Sequence, residues 1–200
     1  MPYIKEAFDV FSLEQAKDVV LSYSHNDEFK FHNETNYFVD TVLEHVDIND
    51  ETCLLDFGCG MGRLSKEFID RKNCYVFGVD LSQSMLNYAD QYVNNSRKFL
   101  PMQAYFLENT IDVAICVFVL QHVEFPKKEI DNILNVLKPN GYMVLLNENK
   151  RFIPNSLDSE NYVVWDDDGF DVEQYINQHV TKVVSIPYID NRNHISIFKK

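Results

Sequence analysis

Four short apolar runs, most of them followed by a stretch of helical periodicity, constrain this chain more than any other feature. Cys53 to Phe57 (CLLDF), Tyr75 to Val79 (YVFGV), Ile111 to Leu120 (IDVAICVFVL) and Tyr142 to Leu146 (YMVLL) read as strands. The third is apolar almost throughout, as a strand covered on both faces requires. Leu64 and Phe68 share one helical face after the first run. Met85, Leu86, Ala89 and Val93 do so after the second, where Ser82 is placed to cap the helix. After the third, a helix from about Pro126 carries Ile130, Ile133, Leu134 and Leu137 and is stopped by Pro139 and Gly141. Residues 147–169 read as irregular and acidic. A short helix near 171–178 and strand-like runs near 180–188 and 193–199 finish the chain. Ahead of the first run, Phe38, Val39, Val42, Leu43 and Val46 make a helical stripe over residues 33–46. Strands alternating with helices predict an α/β fold with a doubly wound, mostly parallel sheet. The last two runs lack a full intervening helix and predict an antiparallel hairpin at the sheet edge.

Sheets of this kind bind ligands beyond the carboxyl ends of their strands, at the topological switch point. Three of the six glycines, Gly58, Gly60 and Gly62, fall there, in LLDFGCGMGRLS at 54–65. A helix opening at about residue 61 directs free N–H groups and a positive dipole end at this turn, which suits phosphate or carboxylate equally. Two details narrow the ligand. The spacing is G-x-G-x-G with Arg63 next, whereas the dinucleotide fingerprint is G-x-G-x-x-G or ends in Ala. Asp80 then ends the second strand, where a carboxylate accepts hydrogen bonds from ribose hydroxyls. Together these describe a nucleoside with an anionic tail smaller than a pyrophosphate.

The net charge of −13 disfavours nucleic acid and anionic membrane surfaces, because binding to either draws on clustered basic residues. Small molecules or other proteins remain as partners. No run is long and apolar enough to span a bilayer and no signal segment is evident; three of the four cysteines lie in or beside apolar runs and read as reduced, buried thiols, so the expected location is cytoplasmic. Cys53, Cys59, Cys74 and Cys116 show no C-x-x-C pairing, and no metal site is expected.

The blocks LLDFGCGMGRLS (54–65), GVDLSQSMLNYA (78–89), ENTIDVAICVFVLQHV (108–123) and LKPNGYMVLLNENK (137–150) resemble, in order and spacing, the class I S-adenosylmethionine-dependent methyltransferases of small-molecule type. The resemblance spans roughly residues 50–150. It implies a seven-stranded, Rossmann-like sheet with an antiparallel last strand, S-adenosylmethionine as cofactor and S-adenosylhomocysteine as product. By position, Gly58, Cys59 and Gly60 would line the methionine part and Asp56 would orient its ammonium. Asp80 would bind the ribose, Leu81 and Met85 would pack near the adenine, and Val117 and Phe118 would sit beside the sulfonium. The chain departs from the family at 99–105, which contains no acidic partner for the adenine amino group. Gln103, as a neutral acceptor, and Met102, through its side chain and amide, are the candidates there.

His122, just past the central strand, is the candidate general base, needed only if the acceptor keeps its proton at working pH. The chain reads as one domain over 1–200: a helical leader and possible lid at 1–49, a cofactor core at 50–150, and a loop with edge strands at 151–200. The acceptor-selecting residues are expected in 1–49 and 147–169, both aromatic-rich. Two other readings stay open: a cofactor-binding regulatory protein without turnover, and a nucleotide-dependent oxidoreductase.

Overall fold

A computed structural model of the chain describes residues 3–20, 27–93, 98–102, 108–148, 150–154, 162–164 and 170–200. The fold is α/β, with seven strands in a mixed sheet. The chain divides into two compact units, Phe8–Tyr105 and Met1–Ala7 with Phe106–Lys200.

The unit Phe8–Tyr105 contains α1 (Leu13–Val20), α2 (Glu28–His45), β1 (Cys53–Phe57), α3 (Arg63–Lys72), β2 (Tyr75–Asp80), α4 (Gln83–Val93) and β3 (Lys98–Pro101). Its strands lie in the order β3-β2-β1 and are parallel, with Asp56 opposite Gly78 and Asp80 opposite Pro101. Leu54, Leu55 and Phe57 of β1, Val76 and Val79 of β2, and Leu64 and Phe68 of α3 are buried, as the apolar runs and the helical stripe predict. Ser82 caps α4 by accepting the Met85 N–H at 3.3 Å. Neither α1 nor β3 is among the elements expected from the sequence; β3, of four residues, is too short to show an alternation. The sequence reading also opened α3 two residues early. The helix starts at Arg63, with Gly62 as a left-handed N-cap that makes no side-chain hydrogen bond.

The other unit contains β4 (Ile111–Val117), α5 (Pro126–Val136), β5 (Leu137–Leu146), β6 (Phe152–Pro154), β7 (Tyr162–Val164), α6 (Val172–Asn177), β8 (Thr181–Pro187) and β9 (His194–Lys199). Its part of the sheet runs β4-β5-β9-β8, with β4 and β5 parallel and β9 antiparallel to both neighbours. The expected edge hairpin is therefore present. Three boundaries differ from the sequence reading. β4 ends at Val117, because Phe118 turns into the left-handed region at φ 56° while its N–H still reaches the Leu146 carbonyl. β5 begins at Leu137, running through Pro139 and Gly141, with an irregular register between the pairs of Ile111 and Val113. Residues 147–169 are not wholly irregular, since β6 and β7 pair antiparallel, Ile153 opposite Val163. Strands of three residues leave too short an alternation to be read in advance.

All four cysteines are free. Among the described residues no helix is long and apolar enough to cross a membrane.

Candidate active site

β1 ends at Phe57 because the next turn needs backbone angles that side chains resist. Gly58, Gly60 and Gly62 have φ of 77°, 53° and 80°, a region costing other residues about 1–2 kcal/mol each. The N–H groups of Gly58 and Cys59 both donate to the Val79 carbonyl, at 2.8 and 2.9 Å, which binds the turn to the end of β2. Asp80 completes the clamp. Its Oδ2 accepts the Gly60 N–H at 2.8 Å and its Oδ1 accepts the Ser82 N–H at 2.9 Å. Each carboxylate oxygen keeps a further lone pair, so a ligand hydroxyl can still be accepted there. Burial pushes the Asp80 carboxyl above the usual range, and the amides of Ser82 and Gly60 oppose that shift.

Asp56 is 3% exposed and accepts the Ser65 hydroxyl at 2.6 Å. Burial, assisted by the Asp80 charge and opposed by Ser65, pushes its pKa up to about 6. A cation entering beside it would favour the ionised form. The sequence did not disclose Ser65: no motif links it to Asp56, and only the course of the chain from β1 to α3 brings them together.

Arg63 is buried, with Nη1 3.2 Å from Thr35 Oγ1 and its guanidinium 5.5 Å from the centre of the Phe31 ring. These partners explain how a long cationic side chain fits at the start of α3. Cys59 is buried and its thiol lies well above the usual range, chiefly from burial. Leu81 is half-buried. Met85 is 3% exposed and packs in an apolar cluster with Val10, Ala16, Phe31 and Met61. The Met102 N–H donates to the Asp80 carbonyl at 2.9 Å. That amide is thus already engaged, and only the half-buried side chain remains for an adenine. Gln103 lies outside the described residues, as does the aspartate run at 166–168.

Val117, Phe118 and His122 belong to the other unit. Val117 and Phe118 are half-buried, and the Phe118 ring meets Tyr188 edge-on with centroids 6.0 Å apart. His122 Nδ1 lies 2.9 Å from the Phe152 carbonyl, which can only accept, so Nδ1 carries the proton. Nε2 then accepts from the Gln121 side-chain amide at 3.1 Å. Gln121 is itself fixed: its Oε1 accepts the Glu148 N–H at 2.7 Å, and its carbonyl accepts the Phe152 N–H at 2.9 Å. The assigned tautomer therefore has both ring nitrogens engaged, Nδ1 in holding β6 to the loop after β4 and Nε2 with the neighbouring Gln121. Burial, aided by the Arg151 charge, lowers the His122 pKa to about 4. A base whose lone pair is committed must first release Gln121, so this geometry favours positioning over proton transfer.

The lowered His122 pKa makes a stability prediction. Its folded pKa lies below the ordinary value of about 6.5, so the unfolded chain binds more protons between pH 6.5 and 4. The contribution is whole above pH 6.5 and is lost as pH falls through about 4. His122→Asn should remove this fall, making stability relative to wild type improve by about 1–3 kcal/mol on going from pH 7 to 4. Urea unfolding at the two pH values checks it; an unchanged difference would refute the buried, neutral ring.

The same unit holds a cavity of about 450 Å³ whose lining includes Asn147, Glu148, Arg151, Lys182 and His194. Among the described residues no group of three or more His, Cys, Asp or Glu side chains gathers to hold a metal.

Comparison with known proteins bears on this geometry. A family model described as a methyltransferase domain matches residues 55–145. The ubiquinone biosynthesis O-methyltransferase of Coxiella burnetii (strain Dugway 5J108-111) is 30% identical over 105 residues, covering 50% of this chain and 44% of that protein. The chain thus spans about half the length, or less, of the curated relatives it matches. Among solved structures, a Pyrococcus horikoshii protein superposes with a TM-score of 0.73 at 18% identity, covering 94% of this chain and 99% of the other. An S-adenosylmethionine-dependent methyltransferase from Aquifex aeolicus does so with a TM-score of 0.67 at 16% identity, covering 95% and 98%. At such identities these two show the fold. The methyltransferase-domain match thus takes in the glycine turn, Asp80 and the strands that carry them, and the fold is one that S-adenosylmethionine-dependent methyltransferases share.

Proposed function

We propose that this chain transfers the methyl group of S-adenosylmethionine to a small, polar molecule, with oxygen as the accepting atom. The observation that carries the donor assignment is the Asp80 clamp. One carboxylate ties the left-handed glycine turn to the start of α4 and keeps lone pairs for ribose hydroxyls. Asp56 offers a buried anion to an ammonium, and Gly58, Cys59 and Gly60 offer backbone to the amino-acid tail. When bound, the cofactor supplies an activated methyl, so the protein's task is chiefly alignment of the acceptor for in-line attack. The net charge of −13 supports a small acceptor over nucleic acid or an anionic membrane surface. The curated relatives named as O-methyltransferases support oxygen.

Thermal unfolding with S-adenosylhomocysteine, S-adenosylmethionine and NADH tests the donor. A ligand at about 100 times its Kd should add about 2.7 kcal/mol, or about 5–10 °C in Tm for a chain of this size. Stabilisation by the first two and not by NADH is expected; the reverse pattern would indicate an oxidoreductase. Methyl transfer from labelled donor to a panel of hydroxylated small molecules tests the reaction. Donor binding without transfer to any acceptor would favour a regulatory binder.

A further inference from the structure

We infer that residues 9–20 form a strap that gates the donor site, locked by a directed chain of hydrogen bonds; this rests on the donor assignment above. The Val10 N–H donates to Ser84 Oγ at 2.9 Å, Ser84 Oγ lies 2.9 Å from Ser82 Oγ, and the Ser82 hydroxyl donates to Asp9 Oδ1 at 2.7 Å. The direction is forced, because a backbone N–H can only donate and a carboxylate can only accept. Ser84 must therefore give its proton to Ser82, and Ser82 gives its own to Asp9. Ser82 is also the residue whose N–H binds Asp80 Oδ1. The strap is thereby tied to the loop that carries the proposed ribose carboxylate.

The far end of the strap reaches the glycine turn. A Cβ built on Gly60 would lie 3.1 Å from Val20 Cγ1, so the end of α1 rests directly on the turn. Between these two attachments, Val10 and Ala16 are buried with Met61 and Met85. The outer side is open: Phe11 is 86% and Leu13 43% exposed. Beyond the buried Val10 and Ala16, the partly buried Val19 and Val20 and the Lys17–Glu28 ion pair at 2.5 Å hold the segment, and so few buried contacts place it toward the low-stability end of a fold, where local opening occurs. The leader, which the sequence marks as a possible lid, is thus proposed to bear on the donor side of the site.

Gating makes entry and exit change together. In the full chain, Ser84→Ala and Asp9→Ala should each raise the S-adenosylhomocysteine dissociation rate about fivefold, the worth of one hydrogen bond. The association rate should rise in parallel by about twofold or more. Ser84→Thr, which keeps the hydroxyl, should retain the wild-type rates. Val20→Ala, which withdraws the methyl group from the turn, should raise both rates without touching the hydrogen-bond chain. Stopped-flow binding and displacement read all four. Faster dissociation with unchanged or slower association would mean a merely loosened site and would overturn the gate. Rates within twofold of wild type for Asp9→Ala and Val20→Ala would also overturn it. Wild-type protein that does not bind S-adenosylhomocysteine would remove the donor assignment itself, and the strap with it.

Discussion

Asp80→Ala is expected to weaken S-adenosylhomocysteine binding on the order of 100-fold, because the proposed ribose acceptor and the clamp on the turn are lost together. In the wild type, Gly60 and Ser82 each give an N–H to one Asp80 oxygen. Alanine leaves both donors without that acceptor, at about 1–3 kcal/mol each if water cannot replace it. Part of this returns, since the raised Asp80 pKa shows that burial already disfavours the charge. The net expectation is a loss of about 1–3 kcal/mol in the free protein, or about 3–10 °C in Tm. Asp80→Asn sharpens the test. Its amide offers one oxygen to two N–H groups, so one of them must face an NH₂ group. Asparagine should therefore fall between wild type and alanine in both Tm and affinity. Calorimetric titration alongside thermal unfolding measures the two effects; affinity within threefold of wild type for the alanine variant would refute Asp80 as the ribose residue.

Asp56→Asn should act in opposite directions on stability and on binding. The Asp56 pKa is pushed up to about 6 by burial, against about 3.9 for an unfolded aspartate. The native state thus binds more protons than the unfolded chain between pH 4 and 6, and stability falls as pH rises through that window. Above pH 6 the whole cost of the buried charge is present, on the order of 3 kcal/mol. Asparagine keeps an oxygen for the Ser65 hydroxyl and carries no charge. The free variant should gain about 1–3 kcal/mol at pH 7.5, with the gain vanishing near pH 4. Its affinity for S-adenosylhomocysteine should fall about tenfold or more, for want of the anion beside the ammonium. Urea unfolding at both pH values and titration at pH 7.5 supply the measurements. A gain at pH 7.5 that persists unchanged at pH 4 would show that charge burial is not its origin. The Asp56 and His122 contributions slope oppositely between pH 4 and 6, so differences between variant and wild type are more informative than the wild-type profile.

The turn on which the proposed donor site rests was legible in advance. The glycines, Asp56 and Asp80 sit where a strand gives way to a helix, and a turn that must go left-handed announces itself through its residue types. The helical stripes of α3, α4 and α5 were readable because 3.6-residue periodicity persists over ten residues or so. Short elements were not: β3, β6 and β7 offer three or four residues each. Met102 shows another limit. Its position beside Asp80 could be read by likeness, but the use of its amide by the Asp80 carbonyl depends on the register of β2 against β3.

The sequence by itself determined the strand–turn–helix order, the turn at 58–62 and the carboxylate that follows β2. These depend on steric rules and periodicities that act among near neighbours. Only the tertiary structure decided that Ser65 protects Asp56, that His122 spends both nitrogens on Phe152 and Gln121, and that Asp9 reaches Ser82 from 73 residues away. A hydrogen bond is set by distance and direction in space, and no local pattern of residues encodes which distant partner the fold brings within reach.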